Sequence, residues 1–130
     1  MLVLIKGSGD LASGVAHRFH QCGIQIIMTD IAQPTTVRST VAFSRAIYEG
    51  TAEVAGVLAR RADNASDAKK IAESGDIAVI VDPEAAILRE LSFDAIVDAV
   101  IAKKNVGTSL QDAPIVVALG PGFTAGVDCH

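Results

Sequence analysis

Apolar residues in this chain fall into short blocks whose periodicity alternates between runs and helical spacing. Leu2-Val3-Leu4-Ile5 is continuous, and Lys6 with the turn Gly7-Ser8-Gly9-Asp10 cuts it short. Leu11, Val15, Ala16, Phe19 and Cys22 then recur at the spacing of one helical face. Asp10 is placed to cap that helix and Gly23 to stop it. Residues 24–30 return to an apolar run and end on an acid, Asp30, which predicts a second strand.

The alternation continues. Gln33-Pro34-Thr35-Thr36-Val37-Arg38 reads as a turn leading into a short helix, with Pro34 near its start. A helix is expected from about Ser44 to Glu49, with Gly50 behind it. Glu53 to Arg60 reads as a third strand, and Ser66 to Ser74 as a polar helix closed by Gly75. Ile77-Ala78-Val79-Ile80-Val81 has no polar alternation, as in a central parallel strand covered on both faces. Asp82-Pro83 predicts a helix from Pro83 to Leu91, and strands follow at 95–99 and 115–119. Strands alternating with helices imply an α/β fold: a Rossmann-like, doubly wound, mainly parallel sheet of about six strands with helices on both faces. The whole of 1–130 reads as one nucleotide-binding domain.

Composition narrows the function. Half the residues are hydrophobic and 20% are charged, so a packed core is expected rather than disorder. With no Trp and one Tyr, that core must be mostly aliphatic. A net charge of −4 without a basic run argues against a nucleic-acid surface. No apolar run approaches a membrane span. Cys22 and Cys129 lack metal-ligand spacing, and with no secretory pattern the expected location is cytoplasmic. A homo-oligomer is compatible with this composition. The chain stops at Asp128-Cys129-His130, directly after a glycine-rich segment, which reads as the edge of a longer protein.

The candidate chemistry collects where strands end. In a doubly wound sheet ligands bind at the strand carboxyl ends. There the sequence gathers Gly7, Ser8, Gly9, Asp10 and Leu11, then Asp30, Asp82, Asp98 with Lys103 and Lys104, and the loop containing Gly120 and Gly122. Gly7 permits the tight turn, Gly9 permits close approach of a pyrophosphate, and Ala12 is small enough for helix–sheet packing. Asp10 would compete with a phosphate for the same amides unless it points away. Asp30 is either a ribose contact, which would disfavour NADP over NAD, or a solvated strand-end acid. Arg38 could offset that charge. Lys103 and Lys104 could meet ligand phosphates or belong to a solvated loop. His17 and His20 share a helix face without a third metal ligand, and no paired acid and base or Ser-His-Asp arrangement emerges.

Several ordered motifs are more specific than the glycine turn. They are residues 5–16 around Gly7-Ser8-Gly9-Asp10, Ile31-Ala32-Gln33-Pro34-Thr35, Thr40-Val41-Ala42-Phe43-Ser44, Tyr48-Glu49-Gly50, residues 102–108 and residues 120–128. In these the chain resembles the YqeB-type accessory proteins of the selenium-dependent molybdenum hydroxylase system, akin to XdhC-type Rossmann chaperones. The family pattern has Glu where this chain has Asp30, so the acid here has a shorter reach. The resemblance implies a maturation factor whose partner is a molybdenum hydroxylase. Its cofactor would be a nucleotide-type small molecule, molybdenum cofactor in its dinucleotide form. The alternative is an NAD(P)-dependent oxidoreductase domain, which the glycine turn and Asp30 suggest, and a third reading is a domain that only docks other proteins.

Overall fold

The structure, a computed structural model, describes residues 1–35 and 38–130. The chain runs β1 (Leu2–Lys6), α1 (Asp10–Gln21), β2 (Gln25–Asp30), a 3-10 turn (Ser39–Val41), α2 (Arg45–Glu49), β3 (Thr51–Val54) and β4 (Val57–Ala62). It continues through α3 (Ala65–Glu73), β5 (Ile77–Val81), a second 3-10 turn (Ala86–Arg89), β6 (Ala95–Asp98) and β7 (Ile115–Ala118). The strands form one seven-stranded sheet in the order β3-β4-β5-β2-β1-β6-β7. Every pairing is parallel except β3 with β4.

Successive strand side chains point to opposite faces, which divides the core in two. Val3, Ile5, Ile26, Met28, Ile77 and Val79 face α1 and α2, where Ala12, Ala16, Ala46 and Ile47 complete the packing. Leu4, Ile27, Ala78, Ile80 and Ile96 face α3, with Ala68, Ile71 and Ala72, and the connection that carries Ile87 and Phe93. Alanine dominates the helix faces, so the helices lie close to the sheet. Burying each Leu, Ile or Val of this core contributes about 1.5–3 kcal/mol.

Three expectations are corrected. Residues 53–60 are not one strand but the hairpin β3–β4, which raises the strand count to seven. Ala55 and Gly56 both have positive φ, 48° and 84°, and close it as a two-residue turn of the primed type that suits strand twist. The stretch from Pro83 to Leu91 is not an α-helix. Ala85 takes a left-handed conformation, and only the 3-10 turn follows. Asp10 is the first residue of α1 rather than its cap; Gly9 occupies the cap position with extended backbone. The expected turn and helix over 33–38 includes Thr36 and Val37, which lie outside the described residues. The strands at 77–81, 95–99 and 115–119 and the helix at 44–49 are found within a residue of their expected bounds.

Candidate functional site

The chain direction changes sides at β1. It moves from β1 to β2 one way and later returns to place β6 on β1's other flank. At such a switch the connections diverge and leave a crevice beyond the strand carboxyl ends. The turn after β1 lies here. Gly7 has φ +99°, and its amide donates to the Thr29 carbonyl at 2.7 Å. A Cβ at Gly7 would stand 3.0 Å from the Ala99 carbonyl oxygen, so both backbone conformation and crowding require glycine. Gly9 differs: its φ is −69°, and a Cβ there would meet nothing within 4 Å.

The crevice is a cavity of about 490 Å³, bordered by Gly7 to Ala12, Asp30, Ile31, Pro34, Thr35 and Ala99 to Ile101. Gly7, Asp30, Ile31 and Val100 also border a smaller cavity of about 160 Å³, together with Lys6 and Asp82. Among the described residues no side chain caps α1. Its first amides, which have no intrahelical acceptors, belong to residues that border the crevice.

Ser8 and Asp30 are joined. The Asp30 carboxylate accepts the Ser8 amide at 2.9 Å and the Ser8 hydroxyl at 2.5 Å through one oxygen, and the Ile31 amide at 2.8 Å through the other. Ser8 is fully buried, so its hydroxyl braces the turn rather than facing a ligand. Asp30 is half-buried and borders both cavities, with acceptor capacity left on its second oxygen. Asp10 pairs with Arg38 at 3.0 Å, on the outer side of the helix start. Leu11 is 52% exposed and reaches past the crevice onto the outer side of α1.

The other sequence candidates lie elsewhere along the edge. The Asp82 carboxylate accepts the amides of Ala86 and Ile87, each at 2.9 Å, and shapes the turn after β5. Lys103 is exposed and borders neither cavity. Gly120 and Gly122 pack backbone to backbone against residues 101–105, and a Cβ on Gly122 would overlap the Lys104 backbone. These glycines lock two loops together and leave the crevice to the first one. His17 and His20 direct their Nε2 atoms to different carbonyls, which accept from them, Ala55 at 3.3 Å and Gly75 at 2.6 Å, so they do not converge.

Sequence reasoning overlooked two groups. Ser13 is buried in α1; its hydroxyl donates to the Ser8 carbonyl at 3.1 Å and accepts the Phe43 amide at 2.8 Å. It ties the turn to the start of α2. Lys6 donates to the Thr108 hydroxyl at 2.8 Å, and that hydroxyl donates to the fully buried Asp98 at 2.6 Å. Asn105 holds Thr108 in place through its backbone. A lysine at a strand end beside a buried acid is a signal in the sequence, but its link through Thr108 needs the fold.

No family model matches the chain, and no solved structure matches it. Over 129 residues, 99% of this chain, it is 50% identical to the uncharacterized protein YqeB of Escherichia coli strain K12. That match covers 24% of the relative, so the chain spans about a quarter of its length. Among the described residues no helix is long and apolar enough to cross a membrane.

Proposed function

We propose that this chain is a Rossmann-like nucleotide-binding domain that seats a nucleotide-bearing cofactor over Gly9, in the cytoplasm, in the service of a molybdenum hydroxylase's maturation. With the β3–β4 hairpin set aside, the strand order β5-β2-β1-β6-β7 corresponds to that of dinucleotide-binding sheets, which supports the class. Gly9 is the observation that carries the ligand. Neither its φ nor its surroundings in the protein call for glycine, and the space above it opens into the 490 Å³ crevice. Close approach by a ligand supplies the missing reason. A pyrophosphate fits there sterically and electrostatically, because among the described residues no side chain caps the first amides of α1 and Arg38 pairs with the Asp10 carboxylate. The second oxygen of Asp30 then accepts a ribose hydroxyl. The reach of the motifs at 102–108 and 120–128 supports the maturation pathway.

Both NAD and the molybdenum cofactor in dinucleotide form carry a pyrophosphate, and the test separates them. Thermal melts of the chain are recorded with NAD, NADP, CTP and a pterin dinucleotide. At a ligand concentration of 100 Kd, binding to the native state stabilises by about 2.7 kcal/mol. A shift with CTP or the pterin dinucleotide supports cofactor handling. A shift with NAD alone moves the reading to an oxidoreductase. No shift with any of them removes the nucleotide from the proposal.

A further inference from the structure

A second concavity runs along α1 and adjoins the crevice, sharing Asp10 and Leu11 with it. It is an apolar groove of about 620 Å³ between α1 and the β6–β7 margin of the sheet. Leu11, Val15 and Phe19 form one wall, four residues apart along the helix; Val97, Val117 and Leu119 form the floor. Leu11 is 52% exposed and Val117 42%. Ile115 lies on the same face of β7 as Val117 and is 47% exposed. Arg18 and Arg38 sit at the rim with Asp10. The connection from β6 to β7 packs through Ala113 against the other face of the sheet, and among the described residues α1 and α2 are the helices on this face, with none beyond α1 toward β7.

We propose that this groove is an intramolecular seat, filled in a protein of the matched relative's length by an apolar helix face from outside the matched residues. The matched relative supplies the length: the 129 matched residues are 24% of it, so about three quarters of that polypeptide lies outside this domain. The groove's shape selects a helix. A row of side chains at every fourth position is the ridge into which a second helix packs. An apolar floor with a charged rim is also the anatomy of a buried interface rather than of open surface. A second copy fits less well. Two copies related by a two-fold axis would set concavity against concavity and leave the space unfilled. At the middle of the β7 edge His130 takes both outward groups of Val116, which hinders a further strand there: its amide donates to the Val116 carbonyl at 2.8 Å, and its Nδ1 accepts the Val116 amide at 3.0 Å. This inference does not depend on the nucleotide proposal.

Thiol accessibility tests it. Leu11→Cys and Val117→Cys are made separately in this chain, with the exposed Cys22 changed to Ser. Cysteines are placed at the matching positions of the full-length Escherichia coli relative, freed of other reactive thiols. Lys69→Cys on exposed α3 is the control. Both groove positions are about half exposed, so cysteine leaves the fold intact. The expected result is rapid maleimide labelling in this chain and labelling slowed at least about tenfold in the full-length relative, with the control equally fast in both. Equal groove labelling in the two proteins overturns the proposal. Slow labelling in this chain also overturns it, whether the chain sediments as a dimer, which makes the occupant a second copy, or as a monomer, which means the groove closes by itself.

Discussion

The Asp30 carboxylate holds both the amide and the hydroxyl of Ser8, at 2.9 and 2.5 Å, and so fastens the end of β2 to the turn after β1. An acid at this position is usually read as a ribose contact. Here one oxygen is committed to the protein, and the turn's shape depends on it. Asp30→Ala leaves the fully buried Ser8 hydroxyl and amide without an acceptor. The expected cost is about 2–3 kcal/mol, since the lost bonds are charge-assisted. Ser8→Ala removes only the hydroxyl and should cost about 1 kcal/mol. Denaturant titration separates them; a neutral Asp30→Ala would show that the bonds are incidental.

Gly7 and Gly9 sit two residues apart and should fail in opposite ways. Gly7→Ala forces a Cβ to 3.0 Å from the Ala99 carbonyl at φ +99°. It should destabilise by about 1–3 kcal/mol. Gly9→Ser has room and places a good capping residue before α1. It should leave stability unchanged or raise it by a few tenths of a kcal/mol, while its side chain obstructs the ligand. Melting curves with and without the ligand found in the thermal screen read both effects. Should Gly9→Ser bind as tightly as the wild type, the crevice is not the seat.

The sequence reading recovered β1, α1, β2 and the parallel core because those segments obey one period each and end at clear glycine or acid signals. It also brought Gly7, Gly9 and Asp30 to one place, since strand carboxyl ends converge in any such sheet. It merged β3 with β4 because Val54-Ala55-Gly56-Val57-Leu58 is apolar throughout and Ala55, an unfavoured residue at φ +48°, hides the turn. It placed a helix at 83–91 because Asp82-Pro83 looks like a helix start. The Asp82 carboxylate does accept two amides there, but those of Ala86 and Ile87, after Ala85 has already turned left-handed. It assigned Gly120 and Gly122 to a ligand, since close packing against residues 101–105 is a tertiary reason for glycine that leaves no local mark.

Thr108 links the strand-end Lys6, whose Nζ also lies 3.9 Å from Asp112 Oδ2, to a buried acid. Its hydroxyl accepts from Lys6 and donates to Asp98, which is 1% exposed. Thr108→Val keeps the shape and removes both bonds, leaving a buried carboxylate with one contact, the Val100 amide at 3.2 Å. A loss of about 3 kcal/mol is expected, in the range for a buried charge deprived of its partner. Thr108→Ser keeps the hydroxyl and should cost less than half as much. A loss for Thr108→Ser as large as that for Thr108→Val in chemical denaturation would show that the hydroxyl's two bonds do not carry the effect.

The hairpin turn offers the opposite sign. Ala55 holds φ +48° and Gly56 φ +84°, the pattern that Asn-Gly satisfies most readily. Alanine pays about 1–2 kcal/mol for the left-handed conformation, and asparagine less, because its short polar side chain bonds locally. The carbonyl of residue 55 meets His17 Nε2 at 3.3 Å through backbone alone, so the substitution leaves that contact in place. Ala55→Asn should therefore stabilise the chain by about 0.5–1 kcal/mol, chiefly by slowing unfolding if the hairpin forms after the parallel core. A higher denaturation midpoint with an unchanged denaturant slope is the expected result. A lower midpoint would mean that residues 53–58 do not form this turn, and that the strand order at this edge of the sheet must be redrawn.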